Sequence, residues 1–568
     1  MTRIDISAHG ILPNGQCIAD ALQKLCTALP DHATLFFPAG RYFLSKKITI
    51  RQKQHLTICG DGAVLVSHFN ACDFSENNDT FAFTDCTDLT VQGLSFDTDH
   101  PANSTGVVTA VDVENKTYDL QFYDEFEITG KEIFQGQHSM DADGTPDYLV
   151  ATYSPLEYTY LGNNTIRVNA ANFSNKADVS AQSNNLATLA IGTVINCRHI
   201  IYGNAVFRFD GCSRVLLSDI RIYATSGMGV VVSPRSADFT FRRFVIELPA
   251  GTKRLMSANA DGIHILGLTG KLVMEDCRFV SLGDDALNIH SPAYTVEAME
   301  DDRLTVTFQK PRNNHGVNPK WIRSGDFVRV YDPVTFAYKG KAEILPDSTP
   351  EHLHINETPE LSVKVGDILA NDAFFSAVHL KNVTVKNTRA RAFLIQTENV
   401  LIEDCYVYGM SLPAVIVSPD IRRWYEMGPS DHVTIRNNVF EKCAFVSSGA
   451  NLGAIVVKAC HDVGAADYPA NVHHNLTISG NRFVNIANSA IYLSATTHAS
   501  VLQNQFENCH YAPFDTTTRH IQYDIAVRNC EDVTIAENRT TGDTSKMLFC
   551  EHTDALHTDT AFTSGDPV

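Results

Sequence analysis

Only two tryptophans, 19% charged residues and no run of eighteen apolar residues occur in this 568-residue sequence. The last absence excludes a membrane-spanning helix, and the low charge excludes a coiled coil or a disordered chain, both of which are richer in it. Among the 14 cysteines there is no Cys-x-x-Cys pair, so neither a zinc ribbon nor a compact disulfide scaffold is expected. Cationic residues are the scarcer charge, 45 Lys and Arg against 65 Asp and Glu, giving a net charge of −20. That balance disfavours nucleic acid and anionic membranes as partners and leaves a neutral or cationic ligand. The opening Met1-Thr-Arg-Ile-Asp-Ile-Ser-Ala-His-Gly has no apolar stretch of the secretory kind. A cytoplasmic location is therefore expected, or a secreted or periplasmic one if a leader was removed.

What is present is one repeated octet of alternating β-branched and polar residues, in a chain with 33 glycines to make its turns. It appears as 89–96 (Leu-Thr-Val-Gln-Gly-Leu-Ser-Phe), 215–222, 239–246, 272–279, 383–390, 400–407, 433–440, 476–483 and 533–540. Each copy reads as a short strand followed by a polar turn, often with Asn. Cys86, Cys212, Cys277, Cys405 and Cys443 recur in similar local contexts and read as small buried side chains.

Strands recurring every few tens of residues without helices between them predict an all-β fold, a right-handed parallel β-helix whose coils stack at ~4.8 Å. A β-sandwich would need regular hairpin turns, which these segments lack. Cys17 to Leu29, with Ile18, Ala21, Leu22, Leu25, Ala28 and Leu29 on one face, predicts an amphipathic helix capping the first coil. Two stretches break the repeat, each reading as a small antiparallel β-barrel. The expected organisation is 1–104 capped coils, 105–196 first barrel, 197–292 central coils, 293–372 second barrel and 373–568 C-terminal coils.

A second set of strands aligns Met228, Asp261, Asp285, Arg391 and Pro413 at one rung position, with Asp284 beside Asp285. Carboxylates that close cannot all ionise freely, so one is expected to keep its proton while another stays anionic. Hydrolysis of a glycosidic bond needs that division of labour. His264, Asn288 and His290 follow on the same strands as candidate contacts to sugar hydroxyls. Arg391 can bond those hydroxyls or simply pair with the acids. Trp424 and Glu426 are further candidates, the indole because it can stack on a sugar face. Strict alternation would bury Asp261 and Asp285 with Ile263, Ile265, Leu287 and Ile289, so a turn must redirect them outward.

Asn259-Ala-Asp261-Gly-Ile-His264 followed by Gly283-Asp284-Asp285-Ala-Leu-Asn288-Ile-His290 resembles the motif pair of glycoside hydrolase family 110, the bacterial exo-acting α-1,3-galactosidases of blood-group-B type. Arg198-His199-Ile-Ile-Tyr202-Gly and Trp424-Tyr425-Glu426 look like further landmarks of that family, and the resemblance spans nearly the whole chain. It implies an inverting single displacement with Asp284 as general acid and Asp261 with Asp285 as the base pair. It implies no metal and no cofactor, and a galactose-terminated glycan as substrate; a second copy of the chain is a further admissible partner.

Three other readings stand beside it. Polygalacturonases share the acidic layout, but the sequence has no Gly-His-Gly and no Arg-Ile-Lys. A calcium-dependent polysaccharide lyase would use adjacent Asp residues as oxygen ligands. A glycan-binding solenoid without catalysis would have no need of the acidic cluster.

Overall fold

The computed structural model describes residues 2–141, 143–171, 186–300, 303–307, 321–356, 361–421, 424–446, 452–459, 471–512, 521–559 and 563–564. The chain winds into a parallel β-helix with three columns of strands. The first column carries most of the octets: 57–60, 89–92, Ser213–Ser218, Ala237–Arg242, Thr269–Glu275, Ala377–Lys381, Val400–Glu403, Asp431–Arg436 and His473–Ser479 pair in that order. The second holds the octets' tails, among them Arg221–Ile222, Val245–Ile246 and Arg278–Val280; it also takes Thr384–Lys386, the head of the 383–390 copy, so that copy stands one column off the others, its coil's first-column strand being Ala377–Lys381. The third column runs through Phe207–Asp210, Val230–Val232, Ile263–Leu266, 287–290, Phe393–Ile395, Val415–Val417 and Gly453–Val457.

Period-2 alternation sends one set of side chains into the tube. There they form one continuous apolar column from Ile6 to Leu548. Within it Phe81 stacks on Phe207 at 6.2 Å and Phe83 on Phe209 at 5.1 Å between ring centroids. The turn from the first column to the second has its own ladder. Asn481 Oδ1 accepts from the Asn438 backbone N–H at 3.0 Å, Asn504 Oδ1 from that of Asn481 at 3.0 Å, and Asn538 Oδ1 from that of Asn504 at 2.9 Å. Asn438 does the same for Cys405 at 2.8 Å. Cys212, Cys277 and Cys405 are buried as free thiols, the first two donating weakly to carbonyl groups nearby.

The helix spans Ala19–Ala28 and its buried face is Ala19, Leu22 and Cys26, continued by Ile18 and Leu29. Ala21 and Ala28, expected on that face, are exposed; the helix is rotated so that Ala19 and Cys26 take their places against the core.

The first excursion is a seven-stranded antiparallel sheet from Asn103 to Arg198. Its strand order leaves two edges, Pro146–Thr152 and Glu157–Gly162, that do not pair with each other. Among the described residues it is thus an open sheet curled over its own apolar core, not the closed barrel expected from its hairpins: hairpin periodicity fixes neighbours but not the closing pair. In the second excursion six strands pair in a ring, 293–300 with Arg303–Thr307, then His352–Asn356, Tyr338–Ile344, Phe327–Tyr331, Ile368–Asn371 and back to 293–295.

Candidate active site

Register fixes the site. Ile263 pairs with Leu287 and Leu287 with Phe393, so Asp261, Asp285 and Arg391, each two residues earlier, occupy successive rungs. The strands begin only at Ile263 and Leu287, so both carboxylates lie in the bends that precede them. This frees them from strand alternation: both are buried, but outside the tube, since Asp261 bonds the outward-facing His264 and Asp285 bonds Arg391, while Ile263 and Ile265 fill the tube. The bends pack very closely. A Cβ on Gly283 would stand 2.3 Å from the Asn259 carbonyl oxygen, so only glycine lets one coil settle on the next before Asp284.

Asn259 roots the open sheet on this face. Its side-chain amide donates to the carbonyls of Ala102 at 2.8 Å and Ile200 at 2.7 Å, and accepts from Asn103 Nδ2 at 2.9 Å. The Asn259 carbonyl accepts from Arg198 Nη1 at 3.2 Å. Both ends of the sheet are therefore tied to the residue two before Asp261.

Two guanidiniums stand against the three carboxylates. Arg391 Nε donates to Asp285 Oδ1 at 2.7 Å. Arg389 Nη2 lies 3.0 Å from Asp284 Oδ2, and the Tyr202 hydroxyl donates to the same oxygen at 2.9 Å. Arg389 is in turn held by the Gly283 carbonyl and by Tyr153 of the open sheet, whose hydroxyl is 3.0 Å from Nη1. The nearest oxygens of Asp261, Asp284 and Asp285 lie within 4.8 Å of one another. Such a trio could bridge a cation, yet calcium prefers six to eight oxygen ligands, and here the neighbouring groups are guanidiniums. The chain answers its own acidic charge.

The environments split the carboxyls as the chemistry requires. Burial pushes Asp285 up against the pull of Arg391, with Asp284 and Asp261 adding to the push, and the balance is about 7. Asp261 is also raised, by burial first, against the hydrogen bond and charge of His264. Burial pushes Asp284 upward too, but Arg389, Arg391, the Tyr202 hydroxyl and Arg198 outweigh it and hold this carboxyl below the usual range. The three side chains are 10%, 6% and 2% exposed for Asp284, Asp261 and Asp285, so Asp284 is the outermost.

A polar line leads away along the outer face. His264 Nδ1 is 2.7 Å from Asp261 Oδ2, its Nε2 is 3.3 Å from His290 Nε2, and His290 is 3.6 Å from Glu426 Oε1. Asn288 pairs in register with His264, and its buried Oδ1 has no hydrogen-bond partner among the described residues, an acceptor that a sugar hydroxyl would satisfy. Eight of the nine sequence candidates are thus brought into one line. Trp424 is half-buried, two residues before Glu426.

Sequence reasoning missed Arg389, Tyr153 and Gln396, and gave Arg198 and Tyr202 no role. Gln396 donates to the Ser418 carbonyl at 2.8 Å and reaches Glu426 Oε2 at 3.4 Å. Arg389 carried a readable signal, since it lies two residues before Arg391 in the bend that stacks on Gly283-Asp284. Tyr153 carried none, because it arrives from an excursion whose docking no local pattern records.

Residues 368–543 match the family described as "Right handed beta helix region". Alpha-1,3-galactosidase B of Bacteroides thetaiotaomicron is 22% identical over 600 residues, covering 95% of this chain and 91% of its own. Alpha-1,3-galactosidase A of Bacteroides fragilis is 24% identical, across 79% of this chain and 73% of its own. The chain is thus similar to proteins named α-1,3-galactosidase. The resemblance seen around Asp261 and Asp284-Asp285 therefore extends over most of its length. Among solved structures, the family 28 exopolygalacturonase of Yersinia enterocolitica aligns with 100% of this chain and 79% of its own at 11% identity and a TM-score of 0.43.

Proposed function

We propose that this glycoside hydrolase releases terminal α-1,3-linked galactose from glycans or oligosaccharides in a single displacement that inverts the anomeric carbon. The observation that carries the reading is the stacked trio Asp261, Asp284 and Asp285, set against Arg389 and Arg391 on one face of the coils. Whole-length kinship with α-1,3-galactosidases supports the choice of sugar. The net charge of −20 fits a neutral substrate better than an anionic pectin.

In this reading Asp284, outermost of the three, meets the glycosidic oxygen and gives it a proton as the C–O bond breaks. Asp261 and Asp285, deeper and adjacent, hold the water that attacks the anomeric carbon from the opposite face and take up its proton. An inverting pair is ordinarily ~6.5–9.5 Å apart to leave room for water; the nearest oxygens of this trio lie inside 4.8 Å, so the water sits against the carboxyl faces turned away from that contact. Asn288, His264, His290 and Glu426 line the face along which ring hydroxyls would be read, and no metal or cofactor is called on.

A second reading exchanges the roles, and one observation favours it: Asp285 keeps its proton to about 7 while Asp284 is held anionic. The two differ in one measurement. Loss of a general acid is masked by a leaving group that departs without protonation. Asp284→Asn should retain most of its rate on a 2,4-dinitrophenyl α-galactoside and lose more than ~100-fold on α-1,3-galactobiose; that pattern in Asp285→Asn instead would exchange the assignments. The function itself is tested with α-1,3-galactobiose, blood-group-B trisaccharide and α-1,4- and α-1,6-galactosides, scoring released galactose. Time-resolved NMR should find β-galactose first, and α-galactose as the first product would end the inverting proposal.

A further inference from the structure

A cleft of about 360 Å³ opens where the six-stranded ring meets the coils, within the range of ~300–1,000 Å³ typical of small-ligand sites at such junctions. None of the three carboxylates lines it, though it adjoins their face. Glu398, in its wall, lies two residues beyond Gln396, and Asp431 lies five beyond Glu426.

Its charges are already spent on one another. Arg329 meets Asp372 at 2.5 Å and also pairs with Glu398, and Lys341 lies 3.4 Å from Asp372. Asp431 Oδ1 accepts from Asn475 at 2.8 Å. Among the described lining residues three carboxylates stand against Arg329, Lys341 and the imidazole of His474, and both full cations are already paired, which disfavours a phosphate, a sulfate or an acidic sugar. These lining groups do leave lone pairs and N–H groups facing a polar guest. Tyr338 is 56% exposed at the rim, its ring 5.7 Å from that of Tyr331, which is buried behind it. An exposed aromatic face beside balanced hydrogen-bonding groups suits a ligand with C–H bonds on one side and hydroxyls on the other.

We propose that this cleft is a second binding site, for a neutral saccharide, that holds glycan away from the carboxylates. The choice of ligand rests on the glycan-acting reading above. The site is counted by calorimetric titration of the Asp284→Asn protein with blood-group-B trisaccharide. Two molecules per chain are expected; adding Tyr338→Ala should leave one, and adding Tyr338→Phe, which keeps the ring, should leave two. On wild-type background, Tyr338→Ala should hydrolyse 4-nitrophenyl α-galactoside at the wild-type rate, showing an intact fold and catalytic face. A stoichiometry of one in the parent, or of two surviving Tyr338→Ala, overturns the proposal, as does equal binding of a sialylated oligosaccharide at the second site. If the wild-type protein hydrolyses no α-galactoside, the function reading fails, and the wild-type protein is then titrated with the same trisaccharide to decide the cleft separately.

Discussion

Asp284 and Arg389 meet at 3.0 Å between Oδ2 and Nη2, and the guanidinium comes from a bend 105 residues later in the chain. This contact is the foremost cause opposing burial at Asp284. Replacing Arg389 by Met should therefore raise the Asp284 pKa, since burial then meets less opposition. With Asp284 as proton donor, activity needs its protonated form, so the basic limb of the kcat/KM profile should move to higher pH. The profile on an unactivated α-galactoside checks this, and movement of the acid limb instead would make Asp284 the base.

Asp285 predicts how stability changes with pH. Its folded pKa is about 7 against an ordinary 3.8, so between these values the folded state binds the more protons. Stability should accordingly be full below about pH 4, fall as pH rises through 7, and level off above. The loss is on the order of a few kcal/mol. Thermal unfolding of wild type and Asp285→Asn from pH 5 to 8 reads it: the wild-type melting temperature should decline relative to its variant, whatever offset arises from leaving Arg391 unpaired.

The asparagine ladder predicts a local failure. Asn481→Ala removes the acceptor of the Asn438 N–H and the donor to the Ile435 carbonyl, leaving both buried groups unsatisfied. The cost should be about 3 kcal/mol. Hydrogen exchange should show faster opening in coils 431–484, while coils before 300 keep their protection, because each coil touches only its neighbours.

Coils, third-column register and the Asp261–Asp285–Arg391 rung were legible because a one-residue slip would move every Ile and Val of a strand from the tube to the solvent. The same logic placed His264 and Asn288 side by side. It could not reach Tyr153 or the open edges of the first sheet, since these depend on docking between segments with no shared period. Nor could it orient the helix, whose turn was set by Cys26 as much as by leucine. The charge state of each carboxyl was likewise beyond it, for that depends on Arg389 lying nearer Asp284 than Asp285.

The second excursion leaves the coils after His290 and returns at Ala377, so that the partner of Asp285, Arg391, is 106 residues away. As the chain leaves the ribosome, the acidic trio is complete long before either guanidinium exists. Until the six-stranded ring has folded and handed the chain back to the next rung, three crowded carboxylates repel one another on an unfinished edge. A chain stalled within the ring carries all three acids of the site and Arg198, but neither Arg389 nor Arg391, the two guanidiniums that pair with them.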